Sequence, residues 1–150
     1  MNKEKYDQSH ALGQVGQHFA EAGFYSSALE FFRRSLGLSR EIGDRAGEAR
    51  TLNNIGTVHG ADGDYSNALT YFEQSLGINR EIGNKEGEMM TCYNIGINYL
   101  EQADPAKALP HLRCAVELAQ KIGHGHLDEY RKKLAEVMEW QAAPSWEESK

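Results

Sequence analysis

The fold is decided by residues 51–90, TLNNIGTVHGADGDYSNALTYFEQSLGINREIGNKEGEMM, because their pattern recurs in the forty residues on either side. Residues 11–50 share 17 identities in 40 positions with residues 51–90, and residues 91–130 share 9. The three blocks align without an insertion or deletion. Self-similarity at a fixed period of this length is the signature of repeat architectures. The sequence therefore predicts three copies of one structural unit.

Each unit is predicted to be a helix, a turn and a second helix. In the central unit, apolar residues such as Leu52 and Ile55 recur at helical spacing, and those around Phe72 do so again. Residues 61–64 supply the turn chemistry between the two helices. Gly56 and Ala68 are small, so we expect the two helices to approach closely where these residues meet.

The helix ends of the unit also have recognisable signals. Gly83 suits the left-handed conformation that closes a second helix. Asn84 and, one unit earlier, Asp44 are placed to cap the helix that follows. The acidic residues near those helix starts suit the positive end of the helix dipole; they are Glu48, Glu86 and Glu88.

The third unit departs from the pattern and is followed by a different segment. Asp104 and Pro105 begin its second helix, and Pro110 then falls inside that helix, where we expect a mild kink. A capping helix is predicted over residues 126–141, which an end of a stacked array needs for solubility. One face of this helix carries Tyr130, Leu134, Val137 and Met138. Residues 142–150 are expected to be a disordered tail, in which Trp146 has no assigned role.

Composition excludes several classes of partner. The formal net charge is −6 and the sequence pI about 5.5, so we expect neither nucleic acid nor an anionic membrane surface as a partner. No apolar run approaches the length of roughly 18 residues that spans a bilayer. Cys92 and Cys114 lie in apolar helical patterns and not in a close pair, which is typical of a reduced, cytoplasmic protein.

The spacing of these residues resembles the tetratricopeptide repeat. The positions that carry the resemblance are Leu12, Val15, Gly16, Phe19, Ala28, Phe32 and Ser35 in the first unit; Leu52, Ile55, Gly56, His59, Ala68, Phe72 and Ser75 in the second; and Cys92, Ile95, Gly96, Tyr99, Ala108, Leu112 and Ala115 in the third. The resemblance implies an all-α fold, a right-handed α-solenoid of three helix-turn-helix units over residues 5–125, with units at about 5–43, 44–83 and 84–123, plus the capping helix. The usual repeat has roughly 34 residues. The longer period here is similar to the variant in kinesin light chains, Pins-type scaffolds and bacterial signalling proteins.

The resemblance also implies where a partner binds. In such arrays the first helix of each unit lines a concave groove that holds an extended or helical peptide. The residues that point into it, by position, are Gln14, Gln17, Arg50, Asn53, Asn54, Thr57, Tyr93, Asn94 and Ile97. Gln14, Asn54 and Asn94 lie one period apart and are expected to form a column of amides that pairs with a peptide main chain. The alternative is that the asparagines cap or bridge neighbouring helices.

Arg50 is suited to a carboxylate. Glu21 and Glu101 near the rim argue against a strictly basic groove, and the clamp for C-terminal carboxylates that the family uses lacks its set of cations here. We therefore expect a non-catalytic scaffold or adaptor that binds a protein or peptide partner. Self-assembly into homo-oligomers through the exposed ends of the array is the alternative.

Catalysis, cofactors and metals are not expected. His124 and His126 flank a glycine, but no third ligand is apparent for a metal site, which needs three or four. Cys92 occupies a packing position and is interpreted as a buried apolar residue. The sequence contains no glycine-rich phosphate loop, nucleophile elbow or zinc-protease helix. The sequence does not identify the partner, and it does not indicate whether the chain is an excerpt of a longer array.

Overall fold

The computed structural model describes residues 2–143, which form seven α-helices and no strand. The helices are α1 (Lys3–Glu21), α2 (Tyr25–Ile42), α3 (Arg45–Ala61), α4 (Tyr65–Glu81), α5 (Lys85–Glu101), α6 (Pro105–Ile122) and α7 (Leu127–Ala142). The predicted all-α class is confirmed. The last helix extends one residue beyond its predicted end, and residues 144–150 of the predicted tail, with Trp146, lie outside the described residues.

The helices pack as successive antiparallel pairs. Each odd-numbered helix contacts most extensively the helix that follows it, and each even-numbered helix then contacts the start of the next pair. α1 also contacts α3, and α3 contacts α5, whereas contacts between successive even-numbered helices are sparser. The stack therefore curves with α1, α3 and α5 on its inner, concave side. The division into units at 5–43, 44–83 and 84–123 stays a prediction.

The two helices of a pair approach most closely at a glycine. A Cβ atom added to Gly56 would lie 2.7 Å from the ring of Phe72 and 3.1 Å from the carbonyl oxygen of Ala68. Gly16 has the same relation to Phe32, at 2.9 Å, and Gly96 to Leu112, at 2.7 Å. The close approach predicted for Gly56 and Ala68 is present. In each unit a large apolar side chain of the second helix packs against the glycine of the first helix.

Buried serines hold the same pairs together with hydrogen bonds. The Ser75 hydroxyl donates to the Ala49 carbonyl oxygen at 2.8 Å, and Ser35 donates to the Ser9 carbonyl oxygen at the same distance. Both hydroxyls are buried, so their hydrogen bonds remove a desolvation penalty as well as joining two helices. Ser75 and Ser35 are one period apart, and the third unit has Ala115 there, which cannot make this bond.

The predicted caps are present. The side chain of Asp44 accepts from the backbone N–H of Gly47, and that of Asn84 accepts from the N–H of Gly87. Gly83 has φ +68°, in the left-handed region expected of it. α6 continues through Pro110 as one helix.

Two apolar residues of the predicted pattern are exposed. Met138, placed by its spacing on the packed face of the last helix, is 46% exposed, because the packed face of α7 is narrower than that spacing implies and has Tyr130 and Val137 as its buried residues. Val15 is 38% exposed because α1 lies at the end of the stack and no preceding helix of the described residues covers it.

The turn inside the third unit contains a strained residue. Gly23 and Gly63 occupy equivalent turn positions in the first two units, each with φ +81°. One period later the residue is Ala103, with φ +56°. An alanine in the left-handed region has a steric penalty between its Cβ and the following carbonyl oxygen, which glycine lacks.

Two buried glutamates join adjacent pairs. Glu48 of α3 accepts from Nε of Arg40 in α2 at 2.9 Å and from Arg45 at 2.7 Å. Glu88 of α5 repeats the arrangement with Arg80 in α4 and Lys85, at 3.0 Å each. Burial raises the pKa of each carboxyl, but hydrogen bonds from the two cations outweigh it, so that both pKa values lie below the ordinary 4.5.

Replacing Ala103 with glycine is expected to stabilise the protein. The steric penalty of roughly 1–2 kcal/mol disappears, and the greater freedom of glycine in the unfolded chain offsets part of it, which leaves a gain of about 0.5–1 kcal/mol. Urea denaturation measures the change. The matched variant Gly63→Ala should lose stability, and a loss for Ala103→Gly would contradict the strain argument.

Stability is expected to fall below about pH 5 because of Glu48 and Glu88. A carboxyl whose pKa is lower in the folded state stabilises the fold above its unfolded pKa, and this contribution disappears as the pH falls through the folded pKa. The double variant Glu48→Gln/Glu88→Gln should have a shallower profile between pH 5 and pH 3, by on the order of 1 kcal/mol per site. Urea unfolding at stepped pH measures it. The exposed pair Glu30→Gln/Glu117→Gln is the control, and equal profiles for both double variants would refute the assignment.

Candidate functional site

Three adjoining cavities lie along the concave side of the stack. Their volumes are about 300, 210 and 410 Å³. Asn54 lines the first two, and Thr57 lines the first and the third, so the cavities meet on the exposed face of α3. Residues of α1 complete one side and residues of α5 the other. We refer to the three cavities together as the groove, which residues of α2 and α4 also line.

Seven of the nine residues proposed from the sequence line this groove: Gln17, Arg50, Asn53, Asn54, Thr57, Asn94 and Ile97. Gln14 and Tyr93 do not line it. Gln14 is exposed on α1 and lies 3.3 Å from a ring nitrogen of His10, measured between Nε2 atoms. The ring of Tyr93 stacks on Tyr130 of α7, with centroids 4.2 Å apart, and burial raises the pKa of both phenols.

The amides of the expected column are not equivalent. Nδ2 of Asn94 donates to Oδ1 of Asn53 at 3.1 Å, which bridges α5 and α3. The bridging role left open for the asparagines is thus observed for Asn94. Asn54 has no side-chain hydrogen bond to another residue within 2–143, and its amide faces two of the cavities. Asn54 therefore presents the least engaged amide of the column.

Several groove residues were not singled out from the sequence. Tyr25 and Tyr65 line the first and third cavities and are one period apart, so the repeat itself could have indicated them. Asn98 has no equivalent amide in the other units. Its Nδ2 donates to the Tyr65 carbonyl oxygen at 3.1 Å, while its buried Oδ1 accepts no hydrogen bond from any residue in 2–143.

The groove carries more negative than positive charge. Glu21, Glu86 and Glu101 line it, and Arg50 is the cation among its lining residues in the described part of the chain. Gln17 donates to Glu21 at 3.0 Å, whereas Arg50 is exposed and forms no salt bridge within residues 2–143. Arg50 shares the second cavity with Glu86, whereas the first and third cavities have Glu21 and Glu101 and, within residues 2–143, no cationic lining residue.

The arrangement of the two cysteines differs from the one expected from the sequence. Cys92 of α5 and Cys114 of α6 were not expected to form a close pair, yet their Sγ atoms lie 2.9 Å apart. The pairing arises because α5 and α6 pack antiparallel, which brings residues 22 positions apart to the same level. Both cysteines are free thiols.

Histidines at the start of α7 form small polar contacts. Nδ1 of His126 lies 2.9 Å from a carboxylate oxygen of Glu129, and Nε2 of His124 lies 3.7 Å from Glu86. Over residues 2–143 no group of three or more potential metal ligands comes together. In the same range, no helix is both long and apolar enough to cross a bilayer.

Comparison with known proteins identifies the class. The sequence pattern of the family described as Tetratricopeptide repeat matches residues 7–81 and, overlapping them, residues 62–121. The chain therefore belongs to the tetratricopeptide repeat family, as its repeat spacing indicated. Proteins of this family generally bind other proteins and are generally non-catalytic. Among curated proteins no sequence matches this chain.

Solved structures share the fold. The apo form of RapI is 24% identical with a TM-score of 0.83, over 90% of this chain and 50% of that one. The TPR domain of Arabidopsis FLU is 20% identical with a TM-score of 0.72, over 78% of this chain and 98% of that domain. A putative kinesin light chain with nearly identical TPR-like repeats from Podosopora anserina is 13% identical with a TM-score of 0.72, over 85% and 64%. This chain spans about half the length of RapI.

Proposed function

We propose that this chain is a non-catalytic scaffold or adaptor that binds an extended segment of a partner protein in the concave groove. The observation that carries the proposal is the continuity of the three cavities across α3, where Asn54 and Thr57 are each shared between neighbours. A continuous groove suits a chain segment better than a compact small molecule, because a small molecule needs a single enclosed site.

Hydrogen bonding supplies affinity that does not depend on partner sequence. The Asn54 amide offers two N–H groups and an acceptor, and the Asn94 amide keeps one N–H and its oxygen beyond its bond to Asn53. Both can pair with main-chain groups of an extended segment.

Charge supplies part of the specificity. Glu21 and Glu101 attract a basic side chain to the first and third cavities, whereas Arg50 in the second can pair with a carboxylate, although Glu86 lines the same cavity. The apolar parts of Tyr25, Tyr65 and Ile97 can pack against the aliphatic stem of a lysine or arginine. We infer that the partner segment is predominantly basic with one acidic position.

Asn54 and Asn94 are expected to be required for binding. The probe is a random peptide library displayed on phage, and fluorescence anisotropy of the selected peptides gives Kd. The double variant Asn54→Ala/Asn94→Ala should raise Kd at least tenfold, which is about 1.4 kcal/mol. Loss of the Asn53–Asn94 bond should lower stability by about 0.5–1.5 kcal/mol, while Asn54→Ala alone should leave it unchanged.

The matched control is Gln74→Ala/Gln141→Ala, which removes two amides exposed on α4 and α7 away from the groove. This control should bind the selected peptides as the wild type does. The selected peptides are expected to be enriched in lysine and arginine. Peptides that bind the wild type and the Asn54→Ala/Asn94→Ala variant equally, or a selection that enriches acidic sequences, would contradict the proposal.

Self-assembly is the second candidate, and two exposed apolar side chains of α7 favour it. Met138 is 46% and Trp140 49% exposed on this last helix, where a second copy could pack. Under this candidate, the mass from light scattering should rise with concentration for the wild type and stay at that of a monomer for Met138→Glu/Trp140→Glu. A wild type that remains monomeric across the series would remove this candidate.

A further inference from the structure

The third pair of helices contains two thiols in direct contact. Sγ of Cys92 and Sγ of Cys114 are 2.9 Å apart, and a disulfide requires about 2.05 Å, so the two sulfurs lie within about 1 Å of bonding distance. These are the 2 cysteines of the entire chain. Cys92 is 1% exposed, while Cys114 is only partly covered. The pair therefore has one thiol that solvent reaches and one that it does not.

Equivalent positions in the other units contain no such pair. One period before Cys92 and Cys114 are Leu52 and Gln74, and one period earlier are Leu12 and Arg34. At the position of Cys92 the other two units have leucine, which also packs there. At the position of Cys114 they have an exposed polar residue. Both replacements occur in the same unit, at two positions that face each other. Packing alone explains Cys92 but not Cys114.

The surroundings of the pair shift the pKa values of the two thiols in opposite directions. The hydrogen bond donated by the Cys92 thiol lowers the pKa of Cys114; burial and Glu88 oppose this, and the Arg80 guanidinium reinforces it. The pKa of Cys92 is raised by its hydrogen bond to Cys114 and by burial. Arg80 is held by its 3.0 Å bond to Glu88, so the same cluster that joins α4 to α5 places a cation beside the thiols. Cys114 is consequently the more easily ionised of the two.

We propose that Cys92 and Cys114 are a redox modification site, at which a hydroperoxide oxidises Cys114 and Cys92 then closes an intrachain disulfide between α5 and α6. The proposal does not depend on the function of the groove. It assigns to the two cysteines different roles: Cys114 reacts with the oxidant, and Cys92 resolves the product.

The chemistry balances in two steps. The Cys114 thiolate attacks one oxygen of the hydroperoxide; an S–O bond forms, the O–O bond breaks, and the leaving oxygen takes a proton to become water or an alcohol. The sulfur of Cys92 then attacks the sulfur of Cys114; an S–S bond forms, the S–O bond breaks, and the hydroxyl leaves as water with the proton of Cys92. Two electrons pass from the thiols to the peroxide. A dithiol reductant reverses the change by thiol–disulfide exchange.

The test uses the wild-type chain and a stoichiometric dose of hydrogen peroxide. Thiol titration and mass spectrometry should show loss of both thiols and of two hydrogen atoms within one chain, and dithiothreitol should restore both thiols. Peptide mapping should link the fragments that contain Cys92 and Cys114. The melting temperature should rise by roughly 5–10 °C on oxidation and return on reduction.

Variants separate the two roles. Cys92→Ser should stop at a Cys114 sulfenic acid that dimedone traps, and Cys114→Ser should react about tenfold more slowly because Cys92 is buried. Arg80→Gln should slow the first step about threefold. The control is Cys92→Ser/Cys114→Ser/Ser66→Cys, a single exposed thiol on α4. Wild-type thiols that persist under a dose that oxidises this control, or disulfides that form only between chains, would overturn the proposal.

Discussion

The contact between Gly56 and the ring of Phe72 is the constraint on which the stack depends. Any side chain at Gly56 would overlap the ring, at 2.7 Å for a Cβ atom, so the two helices of the pair can keep their distance only with glycine there. The same contact recurs one period earlier with Phe32 and one period later with Leu112. Because this contact recurs in all three pairs, the pairs pack in a similar way and can stack on one another as successive repeats do.

That constraint explains which parts of the fold were predictable. Helix starts at Asp44 and Asn84, and the left-handed Gly83, depend on residues within a few positions of one another, so the sequence pattern contains them. The hydrogen bond between Asn53 and Asn94 joins residues 41 positions apart on different helices. Its formation depends on the angle between α3 and α5, which no local pattern specifies. Seven of the nine proposed groove residues nevertheless line the cavities, because periodicity predicts which face of a helix is inward.

The two that do not, Gln14 and Tyr93, lie where the repeat meets the ends of the stack. Tyr93 occupies the position of Asn53 one period later, but its neighbour is α7, which presents Tyr130 in place of an asparagine. Periodicity predicts where Tyr93 lies on its helix. It does not predict which residue is placed against it by α7, a helix that is not part of the repeat. The contact of Cys92 with Cys114 was missed for a different reason, since a pair of facing positions becomes recognisable only once the antiparallel packing is known.

The third unit retains the packing constraint while losing other shared features. It has Leu112 in place of phenylalanine, Ala115 in place of serine and a strained Ala103 in place of glycine, yet Gly96 is kept. A Cβ atom at Gly96 would overlap Leu112, whereas a lost serine hydrogen bond or a strained turn costs only about 1–2 kcal/mol. Such losses are tolerable in a stack whose neighbouring pairs share many contacts. This unit acquires a thiol at Cys114, where the other units have exposed polar residues, and an amide at the buried Asn98, where the second unit has the core residue Val58. New chemical groups therefore appear on this helix pair while the glycine contact that sets its packing is retained.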